Sequence, residues 1–135
     1  MIMEKESPEE FGYDRIKFNL TESSVADMKL SDIIDASQLS DIVLSYGDHK
    51  GLLSLREEIV KQYEGLSASD ILVTTGACMA LFLVNATLLS PGDRILVMGP
   101  NYAANFEVPR SLGVNVEFLP VTFDKHYNIT LEDIV

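Results

Sequence analysis

The stretch VTTGACMAL, residues 73–81, carries the residue spacing most informative for chemistry. A β-type run leads into Gly76, and small and apolar residues typical of a helix follow at once. The first N–H groups of a helix have no acceptor within it, and the helix dipole favours an anion there. Gly76 permits the tight turn, while Ala77 and Cys78 present their N–H groups without bulk. The pattern indicates an anion site; a plain strand-to-helix connection is the alternative interpretation.

A second candidate lies in Gly99-Pro100-Asn101-Tyr102, which follows the next β-type run. The carboxyl ends of parallel strands share one crevice, so Tyr102 is predicted at the rim of the same site. An aromatic ring there could stack on a planar ligand, and a core tyrosine is the alternative. The sequence contains neither G-x-G-x-x-G nor G-x-x-x-x-G-K-[ST], which weakens a dinucleotide or P-loop interpretation.

The elements that must position these residues follow a strand–helix–strand order. The β-type runs are 71–74, 95–98 and 114–118, and the helical patterns between them are 77–89 and 103–112, the latter containing Pro109. This order predicts βαβ units and a parallel sheet, an α/β fold. Pro109 is expected to shorten or kink its helix. The turn Ser90-Pro91-Gly92-Asp93 aims the second strand.

Upstream, the clearest pattern predicts an amphipathic helix that begins after Gly51 and ends at Gly65. Ser54 and Glu57 have capping-box spacing there, and Arg56 is predicted to form a salt bridge on the helix face. Weaker patterns predict a partial strand over 16–20 and a short helix over 30–34. At the other end, Thr130 is predicted to cap a helix start.

Composition narrows the functional class. The 135 residues are 47% hydrophobic and 23% charged, which is typical of a globular protein. A net charge of −11 argues against nucleic acid and anionic membranes as partners. One cysteine, with no secretory or membrane-spanning pattern, favours the cytoplasm. His49 and His126 have no second ligand pattern, so no metal site is predicted.

Taken in order, these motifs resemble the class I/II aminotransferases, the fold type I pyridoxal-phosphate enzymes. The resemblance covers about residues 46–120 and rests on Tyr46, Gly51, Leu55-Arg56, Thr74-Thr75-Gly76-Ala77, Ala80-Leu81, Pro91-Gly92-Asp93 and Pro100-Asn101-Tyr102. It implies an N-terminal arm and small-domain segment over 1–45, and the first, truncated part of the cofactor-binding large domain over 46–135. The sheet of this α/β domain would be incomplete.

The resemblance also assigns roles within a cofactor site. The amides of Gly76, Ala77 and Cys78 would hold the phosphate of pyridoxal phosphate, and Tyr102 would stack on its pyridine ring. Tyr46 would reach the phosphate of the neighbouring subunit, which implies a homodimer. For Arg56, the family position implies a structural role near the cofactor loop as the alternative to a helix-face salt bridge. Ser23 stands about where the family has a substrate-contact glycine.

The implied activity moves an amino group between an amino acid and a 2-oxo acid. The family's Schiff-base lysine, pyridine-nitrogen aspartate and substrate-binding arginine all correspond to positions beyond 135, and none of the six lysines here has the family context. We therefore expect no catalytic residue in this chain and no transamination by it alone. The alternatives are a non-catalytic remnant or interaction module, another fold type I enzyme (a lyase, synthase or decarboxylase), and a nucleotide-binding α/β domain.

The implied sheet has a further consequence for the 71–74 strand. In the family its neighbouring strands come later in the sequence, so this strand would have no partner here. Exposed strand edges invite pairing with another chain. The chain is expected either to rearrange or to assemble with other copies.

Overall fold

The computed structural model of the chain describes residues 8–20, 25 and 27–134, which divide into two compact units. The first unit comprises the described residues up to Val73, and the second runs from Thr74 onward. The division follows compactness alone, so the predicted domain boundary between residues 45 and 46 stays a prediction.

The second unit contains the predicted strand–helix–strand order. Helix α3 spans Ala77–Leu88, strand β1 Arg94–Gly99, helix α4 Ala104–Ser111 and strand β2 Asn115–Pro120. The two strands pair in parallel, with Val97 opposite Phe118. The α/β class, both helices and the last two strands are therefore confirmed, and the sheet is incomplete, as predicted.

The βαβ segment buries a small apolar core. Val97 is 6% exposed, Val114 is 5% exposed, and Pro109 is fully buried within α4. Leu112 bonds back to the carbonyls of Val108 and Pro109, and α4 ends at Ser111, one residue before the predicted end. Pro109 thus gives up a backbone donor inside the helix and fills the core instead.

The turn before β1 forms as predicted. The Asp93 N–H donates to the Ser90 carbonyl at 3.0 Å, and the Asp93 carboxylate accepts from the Ser90 N–H at 2.7 Å. Gly92 has a φ of 93°, a conformation that glycine adopts without strain. This closed turn sets the direction in which β1 begins.

Two of the predicted strands are wrong. Residues 71–74 and 16–20 form no strand, and Val73 donates its N–H to the Lys50 carbonyl at 2.9 Å. A strand requires a neighbour to complete its ladder of hydrogen bonds, and within the described residues only β1 and β2 pair. The 71–74 run keeps a β-type sequence without the partner that would make it a strand.

The first unit contains two α-helices, α1 over Pro8–Phe11 and α2 over Leu53–Val60. Helix α2 begins one residue before Ser54, so Ser54 lies inside its first turn and the predicted capping box does not form. Helix α2 also ends before the predicted stop at Gly65. Over both units, the described residues form 3₁₀ turns at Tyr13–Arg15, Leu30–Asp32, Ala36–Leu39, Ala68–Asp70, Phe123–Lys125 and Leu131–Asp133.

Thr130 caps the last of these turns, as predicted. Its N–H and hydroxyl both donate to the Asp133 carboxylate at 2.9 Å, and Lys125 Nζ donates to the same group at 2.7 Å. The bond from Lys125, followed by those from Thr130, lowers the pKa of Asp133 to about 2. The C-terminal turn is therefore held together through one carboxylate.

The described part of the chain contains neither a helix suited to cross a membrane nor a cluster of metal ligands. No helix there is both long enough and apolar enough to cross a membrane. Among the same residues, no three histidine, cysteine, aspartate or glutamate side chains gather as a metal ion would require.

Candidate functional site

The start of α3 is shaped by the segment Thr74–Gly76. Gly76 precedes the helix with φ 84° and ψ 168°, a backbone conformation that favours glycine. Its N–H donates to the Thr74 carbonyl at 2.9 Å, and the Thr74 hydroxyl donates to the Gly76 carbonyl at 3.0 Å. Among the residues that the structure describes, no side chain caps the helix. The N–H groups of Ala77 and Cys78 are therefore left at the positive end of the dipole without a side-chain acceptor.

Tyr102 joins this helix start from the end of β1. Its hydroxyl lies 3.1 Å from Cys78 Sγ, within hydrogen-bonding distance for sulfur. The Tyr102 side chain remains about half exposed. The structure thus brings two of the predicted site residues into direct contact.

This arrangement fits a ligand that combines a phosphate with a planar ring. The uncapped helix start supplies N–H donors for an anion, and the Tyr102 ring supplies a stacking surface beside it. A Cβ added at Gly76 would meet no atom of the described residues within 4 Å, its chain neighbours aside. The residues present therefore suit such a group.

Asn101 organises the loop that carries Tyr102. Its Oδ1 accepts from the Tyr102 N–H at 2.8 Å and from Asn105 Nδ2 at 2.6 Å, and its Nδ2 donates to the Met98 carbonyl at 3.0 Å. One side chain therefore ties the end of β1 to the first turn of α4. In the sequence, Asn101 belongs to the Pro100-Asn101-Tyr102 motif and is assigned no role of its own; its place between a strand end and a helix was the available signal.

Comparison with known proteins decides the family. The sequence model of the family described as "Aminotransferase class I and II" matches residues 15–135. The chain belongs to this family. Bovine tyrosine aminotransferase (Bos taurus) is 28% identical over an alignment of 120 residues, and the match covers 86% of this chain and 26% of that protein. The chain thus spans about a quarter of the length of the curated relatives it matches.

Solved structures of pyridoxal-phosphate enzymes are similar to the chain. A PLP-dependent aminotransferase from Streptococcus suis has a TM-score of 0.66 at 28% identity, covering 73% of this chain and 26% of that one. A PLP-dependent cyclase, OrfR, has a TM-score of 0.56 at 33% identity, covering 64% and 23%. The fold is therefore the N-terminal part of the fold type I architecture.

Two further residues assigned by the aminotransferase resemblance are not tested by this geometry. Tyr46 belongs to the first unit, where its side chain is fully exposed. Ser23 lies outside the described residues. Their roles stay predictions.

Arg56 differs from its predicted place on the surface of α2. It is only 4% exposed, and its guanidinium donates to the Gly51 carbonyl at 3.0 Å and to the Ala68 carbonyl at 2.7 Å. It also pairs with the Asp48 carboxylate at 2.6 Å, a partner in the preceding loop and not on the helix face. Arg56 therefore forms a salt bridge, but its predicted location on the helix face is wrong, because the side chain turns inward toward the Gly51 and Ala68 carbonyls.

The loop that Arg56 holds is itself a closed turn. The Lys50 N–H donates to the Asp48 carboxylate at 2.8 Å, which with the Arg56 charge holds the pKa of Asp48 below its ordinary value. Lys50 Nζ donates to the Ser69 carbonyl at 2.7 Å. Two cations therefore fasten residues 48–51 to the 68–70 turn within the first unit.

Proposed function

We propose that this chain supplies the phosphate- and ring-binding part of a pyridoxal-phosphate-dependent aminotransferase. Membership of the family and the named structural neighbours imply pyridoxal phosphate as the cofactor. The observation that carries the proposal is the uncapped start of α3, where the Tyr102 hydroxyl lies within hydrogen-bonding distance of Cys78 Sγ. The reaction is transfer of an amino group between an amino acid and a 2-oxo acid.

Each residue has a distinct role in holding the cofactor. Because the Gly76 N–H already donates to Thr74, the N–H groups of Ala77 and Cys78 serve as phosphate donors, and Gly76 supplies the conformation that exposes them. The Tyr102 ring stacks on the pyridine. The bound cofactor supplies the electron sink for carbanion chemistry, which no amino-acid side chain provides.

The proposed contacts with the substrate and with a second subunit belong to the whole enzyme. Ser23 lies on the segment that contacts the substrate, and Tyr46 reaches the phosphate site of a second subunit in a homodimer. The enzyme acts in amino acid metabolism in the cytoplasm. The Tyr46 side chain is fully exposed, which leaves it available for a contact with a second subunit.

Phosphate binding by the start of α3 is tested by removing a single donor. Ala77→Pro deletes one N–H at the first position of the helix, where proline fits the helical backbone. Leu53→Pro is the matched control, since it occupies the first position of α2 after a residue with φ −53° and ψ 126°. Binding of pyridoxal phosphate, ATP and NAD is followed by amide chemical shifts.

The proposal expects pyridoxal phosphate to shift the Ala77 and Cys78 amides, and Ala77→Pro to weaken binding about tenfold, one charge-assisted hydrogen bond. Leu53→Pro should leave the affinity unchanged. Tighter binding of ATP or NAD would favour a nucleotide-binding domain, and an unchanged affinity in Ala77→Pro would refute the site.

The chain alone is not expected to transaminate, because none of its lysines has the family's Schiff-base context. Lys125, the lysine of the second unit, is bonded to Asp133. Single-turnover absorbance with pyridoxal phosphate tests this expectation. An absorbance band that borohydride abolishes, together with one stoichiometrically modified lysine, would contradict it.

The cyclase OrfR provides a reason to keep a second reaction class in view. Its 33% identity exceeds that of the Streptococcus suis aminotransferase, and a cyclase carries out a different reaction. Product analysis with the full-length enzyme separates the two: a 2-oxo acid formed in step with a new amino acid supports transamination.

A further inference from the structure

The strongest unassigned feature is the way Tyr102 is held at both ends. At its backbone, the N–H donates to Asn101 Oδ1 at 2.8 Å. At its tip, the hydroxyl lies 3.1 Å from Cys78 Sγ. The two anchors come from different elements, the β1–α4 loop and the start of α3, so together they fix where the ring lies.

Asn101 is itself fixed by two neighbours. Its Nδ2 donates to the Met98 carbonyl within β1, and its Oδ1 accepts from Asn105 Nδ2 on α4. A strand and a helix are the least mobile supports in this unit, since their own backbone bonds restrain them. The position of Asn101 is therefore transmitted from the sheet to the Tyr102 backbone.

We propose that Asn101 is a positioning residue that sets Tyr102 for stacking on the planar ring of a phosphorylated ligand. This inference rests on the proposed function and deepens it by separating two kinds of recognition. The start of α3 recognises the phosphate, and the Asn101–Tyr102 pair recognises the ring. Because the Tyr102 ring is already held in place, binding loses less side-chain conformational entropy.

The test compares a ligand that has both parts with one that has only the phosphate. The two probes are 4′-deoxypyridoxine 5′-phosphate, which lacks the aldehyde and so cannot react with lysine, and glycerol 3-phosphate. Affinities for the full chain are measured by amide chemical shifts at Ala77 and Cys78. The variants are Asn101→Ala, Asn101→Asp and Asn105→Ala.

Loss of the stacking contribution should weaken binding of the ring-bearing probe by about three- to tenfold in Asn101→Ala. The affinity for glycerol 3-phosphate should stay at the wild-type value. Asn101→Asp keeps an acceptor for the Tyr102 N–H and should recover part of the loss. Asn105→Ala, which removes one bond to Asn101, should show a smaller loss of the same kind.

Replacing a residue that is needed only for folding would lower the affinity for both probes by the same factor. The inference is therefore overturned if Asn101→Ala and Asn105→Ala each lose as much affinity for glycerol 3-phosphate as for the ring-bearing probe. An unchanged ratio of the two affinities in all variants overturns it as well, while leaving the phosphate site intact. If the wild-type chain binds neither probe, the proposed function fails first. The NOE between the Tyr102 ring and Cys78 then reports separately: its retention in Asn101→Ala would contradict a positioning role without any ligand.

Discussion

The buried guanidinium of Arg56 leads to the sharpest prediction about stability. Arg56→Met keeps the apolar stem but removes every donor from a side chain that is 4% exposed. The carbonyls of Gly51 and Ala68 each lose a hydrogen bond from a charged group. Both residues are partly exposed, so water replaces part of each bond, and the net loss is about 1–1.5 kcal/mol per bond. We therefore expect the first unit to lose about 2–3 kcal/mol.

The assay is native-state hydrogen exchange at the Val73 amide. That N–H donates to the Lys50 carbonyl at 2.9 Å, so its protection reports whether the 48–51 loop stays in place. A loss of 2–3 kcal/mol corresponds to exchange about 30- to 150-fold faster. The Asp48 carboxylate is about half exposed, and we add nothing for its ion pair.

Arg94→Met is the matched control for the loss of an arginine. Arg94 makes two bonds to Glu117, at 2.8 and 2.9 Å, but its side chain is 74% exposed. Exposed pairs contribute about 0–1 kcal/mol, so little change is expected there. Equal destabilisation by the two substitutions, or an unchanged Val73 exchange rate in Arg56→Met, would refute the reasoning from burial.

Three further predictions concern other parts of the chain. Gly51→Ala should lower the free energy of unfolding by about 1–3 kcal/mol more than Gly92→Ala, measured by urea unfolding followed by circular dichroism. Both glycines have φ above 90°, so the backbone strain is similar. A Cβ at Gly51 would lie 2.6 Å from Val73 Cβ, whereas one at Gly92 would meet no described atom within 4 Å. The pKa of Asp133 is lowered from 3.8 to about 2, so the contribution of its carboxylate to the stability of the C-terminal turn is complete above pH 3.8 and is lost as the pH falls toward 2. An NMR titration of Asp133 should give the lowered pKa, and Lys125→Met should raise it. Val97→Ala should cost about 2 kcal/mol, since Val97 is 6% exposed, against less than about 1 kcal/mol for Leu96→Ala, whose side chain is 45% exposed; similar values for the two would contradict the core placement.

Local pattern predicted the second unit well because its elements are specified by neighbouring residues. The glycine before α3 and the small apolar residues after it fix that helix start whatever surrounds them. The 94–120 segment likewise contains both strands of its pair and the helix between them. Such elements depend little on distant chain, and their bounds came out within one or two residues.

The failed predictions for the 71–74 strand and for Arg56 depend on partners that no local side-chain pattern identifies. The 71–74 run has β-type residues, but a strand is defined by pairing and sequence alone does not supply the neighbour. Arg56 was misplaced for a related reason: its acceptors are backbone carbonyls at residues 51 and 68, and every residue has a carbonyl. No side-chain pattern marks which ones a guanidinium will reach.

The parallel pair of β1 and β2 also bears on how the protein is made. Its two strands and α4 occupy one uninterrupted stretch, ending at Pro120. Contacts between residues close in sequence form quickly, because little chain must be searched to close the loop. During synthesis, this stretch can therefore begin to pair once Pro120 has left the exit tunnel, because both strands and the helix between them have then been made. The strand end that carries Tyr102 can form at that point without waiting for chain made after Pro120.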